Sequence, residues 1–404
     1  MLAIKLFYSK IEMIALAFVY FTYKILIEIK LMYKMKKILF LIPTLGQGGA
    51  EKVLVNLVNN MDRSKFDISV HVLFKGGVNE QFLKSDIRFK YYYKKQFRGN
   101  SKYLCLFSPE RLYKKFIKEK YDIIVSYLEG PTARIVSGCN NPNTKLVGWI
   151  HCKMDNPAIG AVGFRNFEEA KKCYNKFDNT VCVSKWVMDY FSKTFEYQKP
   201  IQVLYNTIET DKILEKSVEP VDDIKFDDDC VNICSVGKLT ALKGFDRLLN
   251  IHKKLLDDGV KNKVYLFGIG EEEGSLKKAA QNLGVENTFQ MVGYRTNPYK
   301  YVKNCDLYVC SSHSEGFSTS VTESLIVGTP VVTTLCSGMT ELLGENNEYG
   351  IVTENNEDAL YEGIKKMLTT PNLLEAYAAK AKERGKAFST EKTVKAVEEM
   401  LESL

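Results

Sequence analysis

The stretch SHSEGFSTSVTESLIVGTPVVTT, residues 312–334, decides the fold. Its run VTESLIV, followed by GTP and then VVTT, reads as a helix beginning near Ser320, a Gly-Pro break and a buried strand. Ahead of that helix the turn Gly316-Phe317-Ser318 lies between two carboxylates, Glu315 and Glu323, eight positions apart. The turn's backbone N–H groups then stand at a helix N-terminus, a place suited to anions and polar hydroxyls. One carboxylate precedes the helix and the other sits about one turn inside it. Such a pair can grip two sets of hydroxyls on an extended, sugar-rich ligand. Taken alone, Glu315 is equally a helix-dipole partner and Glu323 a solvated helix residue, so other motifs must decide.

Around this stretch, VNICSVGKL, KVYLFGIG, NTFQMVG, DLYVCSS and TPVVTT alternate with helical segments such as GFDRLLNIHKKLLDD. The first half shows the same alternation, with KKILFLIP, DISVHVLF, YDIIVSYLEG, TKLVGWIH and NTVCVSKW as strands. Strands alternating with helices predict parallel, doubly wound sheets. The pattern pauses over the acidic residues 209–229 and then restarts. The expected architecture is therefore α/β, with two Rossmann-like domains facing across a cleft. They span residues 35–208 and 230–388, joined by a linker over 209–229. A final helix over 389–404 carries Val394, Val397 and Leu401 on one face and is expected to pack back on the first domain.

The net charge of +7 conceals opposite halves. Residues 1–208 hold 33 Lys and Arg against 17 Asp and Glu, whereas residues 209–404 hold 23 against 32. A basic half suits an anionic lipid surface, a phosphorylated substrate or nucleic acid. The ten cysteines are scattered without a CxxC, which fits free thiols in a reducing compartment. Histidines 71, 151, 252 and 313 show no metal-ligand spacing. In the apolar residues 1–34 only 11 residues, Met13 to Tyr23, pass without a charge. That is short of the roughly 20 a spanning helix needs. The segment reads as an interfacial helix, or as a dispensable extension ahead of Met35.

Four further motifs carry chemistry. GQGGAEK (46–52) follows a strand and opens a helix, so Gly48 and Gly49 let the backbone approach a ligand; it matches neither the P-loop nor the dinucleotide fingerprint. In VGKLTALKGFDRLL (236–249) a strand ends at Gly237, and Lys238 and Lys243 flank the turn into the next helix. Two ammonium groups there can converge on a leaving diphosphate. FGIGEEEG (267–274) places Gly268 in a turn lining the same pocket, and Arg295, after the next strand, is positioned to meet a base or phosphate or to remain a surface cation. In GWIHCK (148–153), His151 ends a strand and points into the cleft.

Together these residues resemble glycosyltransferase family 4, the retaining nucleotide-sugar transferases of the GT-B fold, over about residues 35–404. EGFSTSVTE and GKLTALKG carry most of the resemblance, with GGAE at 48–51, the SKWVMDYF helix start and LYNTIE at 204–209 as further counterparts. The resemblance implies that Glu315 contacts donor-sugar hydroxyls and Glu323 holds the nucleotide ribose. It implies Lys238 and Lys243 on the diphosphate, Gly49 abutting it from the opposite domain, and His151 beside the reacting sugar carbon. Lys238 departs from the usual arginine, a point charge instead of a planar fork. Ser318-Thr319-Ser320 replaces the more frequent Gly-Leu-Pro and is similar to enzymes that build capsular or O-antigen polysaccharides.

The catalytic candidates are thus His151, Glu315, Lys238 and Lys243. Gly48, Gly49, Gly237, Gly268, Arg295, Gly316, Phe317, Ser318 and Glu323 join Glu315 and the lysines around the donor. No metal is expected, because no DxD-type motif fits, and no cofactor beyond a nucleotide sugar, with UDP the commoner nucleotide in the family. A lipid-linked or saccharide acceptor and an anionic membrane surface are the expected partners, and nucleic acid is not. The basic, aromatic-laced residues 84–120 are expected either to supply the membrane contact, on the inner face of the cell membrane, or to be plain surface charge. Two competing readings stand beside this one: a non-hydrolysing UDP-sugar 2-epimerase, and a non-catalytic polysaccharide- or RNA-binding protein.

Overall fold

KKILFLI becomes strand β1 (Lys36–Ile42), and its residues Ile38 to Ile42 are fully buried. A strand this apolar on both sides belongs in a sheet covered on both faces. Parallel neighbours flank it, with Ile38 in register with Ile68 on one side and Ile123 on the other. The remaining strands of the first sheet are β2 (Phe66–Phe74), β3 (Arg88–Tyr93), β4 (Ile123–Ser126), β5 (Lys145–Ile150), β6 (Asn179–Cys182) and β7 (Ile201–Val203). All are parallel, in the order β3-β2-β1-β4-β5-β6-β7. This computed structural model describes residues 35–46, 48–336 and 338–404, and the extension read over 1–34 lies outside them.

The second sheet repeats the winding. Strands β8 (Val231–Val236), β9 (Asn262–Phe267), β10 (Phe289–Gly293), β11 (Leu307–Cys310), β12 (Val331–Thr334) and β13 (Ile351–Thr353) run in the order β10-β9-β8-β11-β12-β13. The direction of winding reverses between β1 and β4 and again between β8 and β11. Each reversal opens a crevice at the carboxyl ends of the strands. The two crevices face each other, so the expected α/β, GT-B-type arrangement is the one observed.

Three strands escaped the sequence reading. β3 is the edge strand RFKYYY, exposed along much of its length, so it lacks an apolar signature. β7 and β13 have three residues each, too few for a periodicity. The linker also differs from its expected form. Its first part is a helix, Thr210–Ser217, which buries Ile213 and lies against helices Tyr299–Lys303 and Thr319–Val327 of the second domain. Asp223 and Asp227 further along pair with Arg295 and Lys263. The acidic segment is therefore folded onto the second domain.

The chain crosses between domains twice, and the crossings are hydrogen-bonded to each other. Thr210 N donates to Thr390 Oγ1 at 3.1 Å, Thr210 Oγ1 to Phe388 O at 3.0 Å, and Thr390 Oγ1 to Ile208 O at 2.8 Å. Beyond the second crossing, helix Thr390–Glu402 buries Val397 and Leu401. Lys36 Nζ donates to Leu401 O and Glu402 O, both at 2.9 Å, setting a cation at that helix's C-terminus. Asp62 N donates to Glu398 Oε1 at 2.6 Å. The last helix thus rests on the first domain.

One buried cation organises the far side of the first domain. Arg134 is 0% exposed and bonds both Glu169 oxygens at 2.9 Å. It also donates to Leu104 O at 3.0 Å and Phe107 O at 2.6 Å, fixing the turn between them. Removing it leaves two carbonyls without this donor and the part-buried Glu169 carboxylate with only Arg165 beside it. Arg134→Ala is expected to destabilise the fold by about 3 kcal/mol, the cost of breaking a buried pair from one side. Urea unfolding of both forms checks this, and a loss below about 1 kcal/mol would contradict the assignment.

Candidate active site

The site is assembled from the loops that follow β1, β5, β8 and β11. After β8, Gly237 N donates to Phe267 O at 2.9 Å and Leu239 N to Ile269 O at 3.1 Å, so this loop lies against the one after β9. Gly268 makes that approach possible: its φ is +150°, and a Cβ there would fall 1.8 Å from Gly237 O. The loop then turns through Ala241–Lys243 and closes on the segment after β11, with Ser311 Oγ donating to Lys243 O at 2.9 Å.

That closure brings Lys243 Nζ to Glu315 Oε1 at 2.5 Å, while Ser312 Oγ donates to the same oxygen at 2.6 Å. Burial disfavours the Lys243 charge, but the coulombic pull and hydrogen bond of Glu315 outweigh it and lift the Lys243 pKa above the usual lysine value. Ser235, Tyr308 and Ser320 line the same spot, and together with the pair they leave no room for a water-sized sphere. Lys238 does not converge with Lys243. It stays exposed on the rim, 3.4 Å from Glu271.

Helix Thr319–Val327 starts one residue before the expected Ser320, because Ser318 caps it by accepting from Val321 N. Its first turn points at the other domain. A Cβ on Gly49 would lie 3.7 Å from Thr319 Oγ1, so the glycine loop and the helix start are in near contact. Gly48 is the N-cap of helix Gly49–Asn60, and the Glu51 carboxylate folds over it. Gly316 meets the backbone of His151 so closely that a Cβ would fall 2.0 Å from His151 O. Phe317 stacks across the cleft on Tyr205, ring centroids 5.2 Å apart.

Glu323 is 8% exposed, yet it reaches across the cleft. Its Oε1 accepts from Lys52 Nζ at 2.6 Å, and Lys52 also donates to Tyr299 OH at 2.8 Å. Desolvation works against the Lys52 charge, but Glu323 and Tyr299 more than offset it and raise its pKa. The domains are therefore closed on each other. Glu341 reinforces the closure by accepting from Lys185 N at 2.9 Å and Trp186 N at 3.2 Å, where helix Lys185–Phe195 of the first domain begins.

His151 lies at the end of β5, where its backbone N donates to Glu129 Oε2 at 3.0 Å and its ring packs 4.9 Å from that of Tyr127. Its Nε2 is buried without a hydrogen-bond partner. Arg295 is not brought to this group. It pairs with Asp223 at 3.1 Å and lies over the Tyr301 ring, because the linker folds along that side of the second domain. Sequence reasoning missed Lys52, Glu129, Ser312 and Tyr299. Lys52 was visible in the GGAEK motif, but nothing in the sequence tells that it crosses to Glu323.

The profile described as "Glycosyltransferase Family 4" matches residues 47–212, and "Glycosyl transferases group 1" matches residues 221–384. A Campylobacter jejuni protein named N-acetylgalactosamine-N,N'-diacetylbacillosaminyl-diphospho-undecaprenol 4-alpha-N-acetylgalactosaminyltransferase is 28% identical over 371 residues, covering 88% of this chain and 96% of its own. The lipopolysaccharide core biosynthesis glycosyltransferase LpsE of Rhizobium meliloti is 31% identical over 144 residues, 35% of this chain and 40% of its own. Among solved structures, Anabaena HepE in complex with UDP superposes with a TM-score of 0.70 at 18% identity, over 91% of this chain and 100% of that one, a likeness of fold. The epimerase and the non-catalytic binding protein give way as readings. The chain is built of a glycosyltransferase family 4 domain and a glycosyl transferases group 1 domain, and it is a glycosyltransferase of the GT-B fold.

Proposed function

We propose that this enzyme transfers a hexose or N-acetylhexosamine, with retention of anomeric configuration, from a UDP-sugar to a lipid-linked or saccharide acceptor in cell-surface polysaccharide synthesis. The observation that carries the proposal is the Lys243–Glu315 pair at the β8/β11 crevice, beside the first turn of helix Thr319–Val327 and opposite Gly49 and His151. A cation, a carboxylate and a helix N-terminus in one crevice suit a sugar diphosphate. Its phosphates meet the ammonium and the amides, and its hydroxyls meet the carboxylate. The lipopolysaccharide relative and the diphospho-undecaprenol relative support the pathway and the lipid-borne acceptor.

The donor lies on the second domain. Glu315 takes sugar hydroxyls, Lys243 moves from Glu315 onto the diphosphate, and Lys238, exposed on the rim beside Glu271, swings in beside it. Gly237, Gly268, Gly316, Phe317 and Ser318 form the backbone wall, and Gly48 and Gly49 close it from the first domain. The leaving diphosphate is stabilised by lysines and helix amides without a metal ion. Glu323 holds the ribose once Lys52 has released it. The orphaned His151 Nε2 is left to donate to or accept from a sugar hydroxyl near the reacting carbon. Arg295, held by Asp223, takes no part.

Around Lys243 and Glu315 there is no room for even a water-sized sphere, against the roughly 300–1,000 Å³ of ordinary ligand pockets. The cleft must therefore open to admit the donor and close again around it. The acceptor approaches over the first domain from the inner membrane face. Among the described residues no helix is long and apolar enough to cross a membrane.

Incubation with a panel of labelled UDP- and GDP-sugars tests the reading: sugar transfer or slow donor hydrolysis is expected, and neither with any donor would refute it. Lys243→Ala and Glu323→Gln are each expected to lower transfer at least about 100-fold, the loss typical of one preorganised electrostatic contact. Each also leaves a partner, Glu315 or Lys52, without its counter-charge and is expected to lower stability. Transfer is therefore compared on protein shown to be folded by circular dichroism, and unchanged turnover in both would remove the site assignment. A third expectation concerns acid. Burial lowers the His151 pKa from 6.5 to about 3, a small opposing pull coming from the Tyr127 backbone, and burial takes His71 to about 4. Both rings are neutral when folded, so the stability they protect is complete above pH 6.5 and falls as the pH drops toward these values. Each unit in that window costs up to about 1.4 kcal/mol per ring. His151→Gln should flatten the acid limb of a stability-versus-pH curve, and an identical limb in both forms would contradict the burial.

A further inference from the structure

At the rim of the first domain two loops are tied together. Arg165 Nε donates to Cys105 O at 2.7 Å and its Nη2 to Leu106 O at 3.3 Å, while Cys105 Sγ contacts Gly163 O at 3.6 Å. The side chains these ties leave outside are aliphatic: Leu106 is 73% exposed, Val162 63%, and Ile159 is also exposed. The lip is not loose. Arg134 grips the carbonyls of Leu104 and Phe107, so Leu106 projects from a fixed turn.

An aromatic ladder leads away from it. Ring centroids are 5.5 Å apart for Phe107 and Tyr103, 5.8 Å for Tyr103 and Phe97, and 5.9 Å for Phe97 and Tyr93. Lys115 Nζ lies within 6 Å of the Tyr93, Tyr103 and Phe107 rings. Phe97 and Tyr103 remain exposed, as do Lys94, Lys95, Arg98 and Lys102 around them. Residues 94–120 contain nine Lys and Arg against two Asp and Glu.

A contiguous group of large aliphatics held outside a core marks a contact surface. Here it comes with amphipathic aromatics and a nearly unopposed ring of cations. That is the chemistry of a bilayer interface: aliphatic tips at the acyl boundary, tyrosines at headgroup depth and cations on anionic headgroups. The lip also adjoins the cleft. Val162 O lies where a Cβ on Gly130 would be only 2.9 Å away, and the neighbouring Glu129 holds the backbone of His151.

We infer that the Leu106–Val162 lip is the surface by which this chain docks on an anionic bilayer, seating the cleft mouth at headgroup level. The docking stands on the surface alone. The corollary, that a lipid-borne acceptor reaches His151 from this side, rests on the proposed transferase reaction.

The test uses the full chain with vesicles of phosphatidylcholine containing about 30 mol% phosphatidylglycerol, a composition chosen for its surface charge. With brominated acyl chains in the vesicles, the added emission of Leu106→Trp should be quenched and that of Val218→Trp should not, Val218 being 69% exposed on the second domain. Trp149 and Trp186 give the background, measured in the unsubstituted chain. Leu106→Asp combined with Val162→Asp should weaken vesicle binding at least about 100-fold, the effect of losing the burial of two aliphatic side chains. Val218→Asp should leave it unchanged. Failure of the unsubstituted chain to bind, or quenching equal at positions 106 and 218, overturns the proposal. So does a dimer that the double substitution dissociates in the absence of any vesicle binding. UDP binding measured alongside reports separately on the reaction: a chain that docks but binds no nucleotide would refute the transferase reading and leave the lip standing.

Discussion

Parallel pairing is the constraint from which the rest follows. Every strand of both sheets runs the same way as its neighbours, so each sheet gathers all its strand-to-helix loops on one edge. The winding order reverses once in each sheet, and at that reversal adjacent loops diverge to opposite faces and leave a crevice. Because the two domains meet edge to edge, the loops after β1 and β5 oppose those after β8 and β11. No single loop contains the site. Lys243 and Glu315 are 72 positions apart and Lys52 and Glu323 are 271 apart, yet each pair touches.

The closeness of the two edges rests on positions without side chains. Gly316 against His151 O leaves no room for a methyl group between the domains, and Gly268 against Gly237 O leaves none between two loops of the second domain. Backbone at such separations excludes water and strengthens the few charges enclosed there. Lys52 and Glu323 illustrate it: an ammonium and a carboxylate from different domains, sharing Tyr299, in a setting where either alone would be costly to bury.

Much of this was legible beforehand, for identifiable reasons. β1 and β8 are long apolar runs followed by glycine, and such runs have few other uses in a chain of alternating strands and helices. EGFSTSVTE and GKLTALKG carry the chemistry of the site within short windows, so their residues could be named without knowing the packing. What the sequence withheld is long-range. The partners Lys52, Glu129 and Tyr299 are ordinary residues until the fold brings them to the cleft. Arg295 looked available and was not, because its partner Asp223 lies in a segment with no strand or motif to reveal where it folds. β3 was obscured by its own charge, being an edge strand whose outer side faces solvent.

The doubled passage of the chain between the domains has a mechanical meaning. A single covalent tether would let one lobe swivel and slide against the other. Here Ile208–Thr210 and Phe388–Thr390 run together, cross-linked by three threonine hydrogen bonds, and the last helix is pinned to β1 through Lys36. Such a seam bends readily and resists torsion and translation, in the manner of a book's spine. Opening the lobes then sweeps the loops along one arc and returns them to the same register, so each cycle re-forms the same facing pairs without a search.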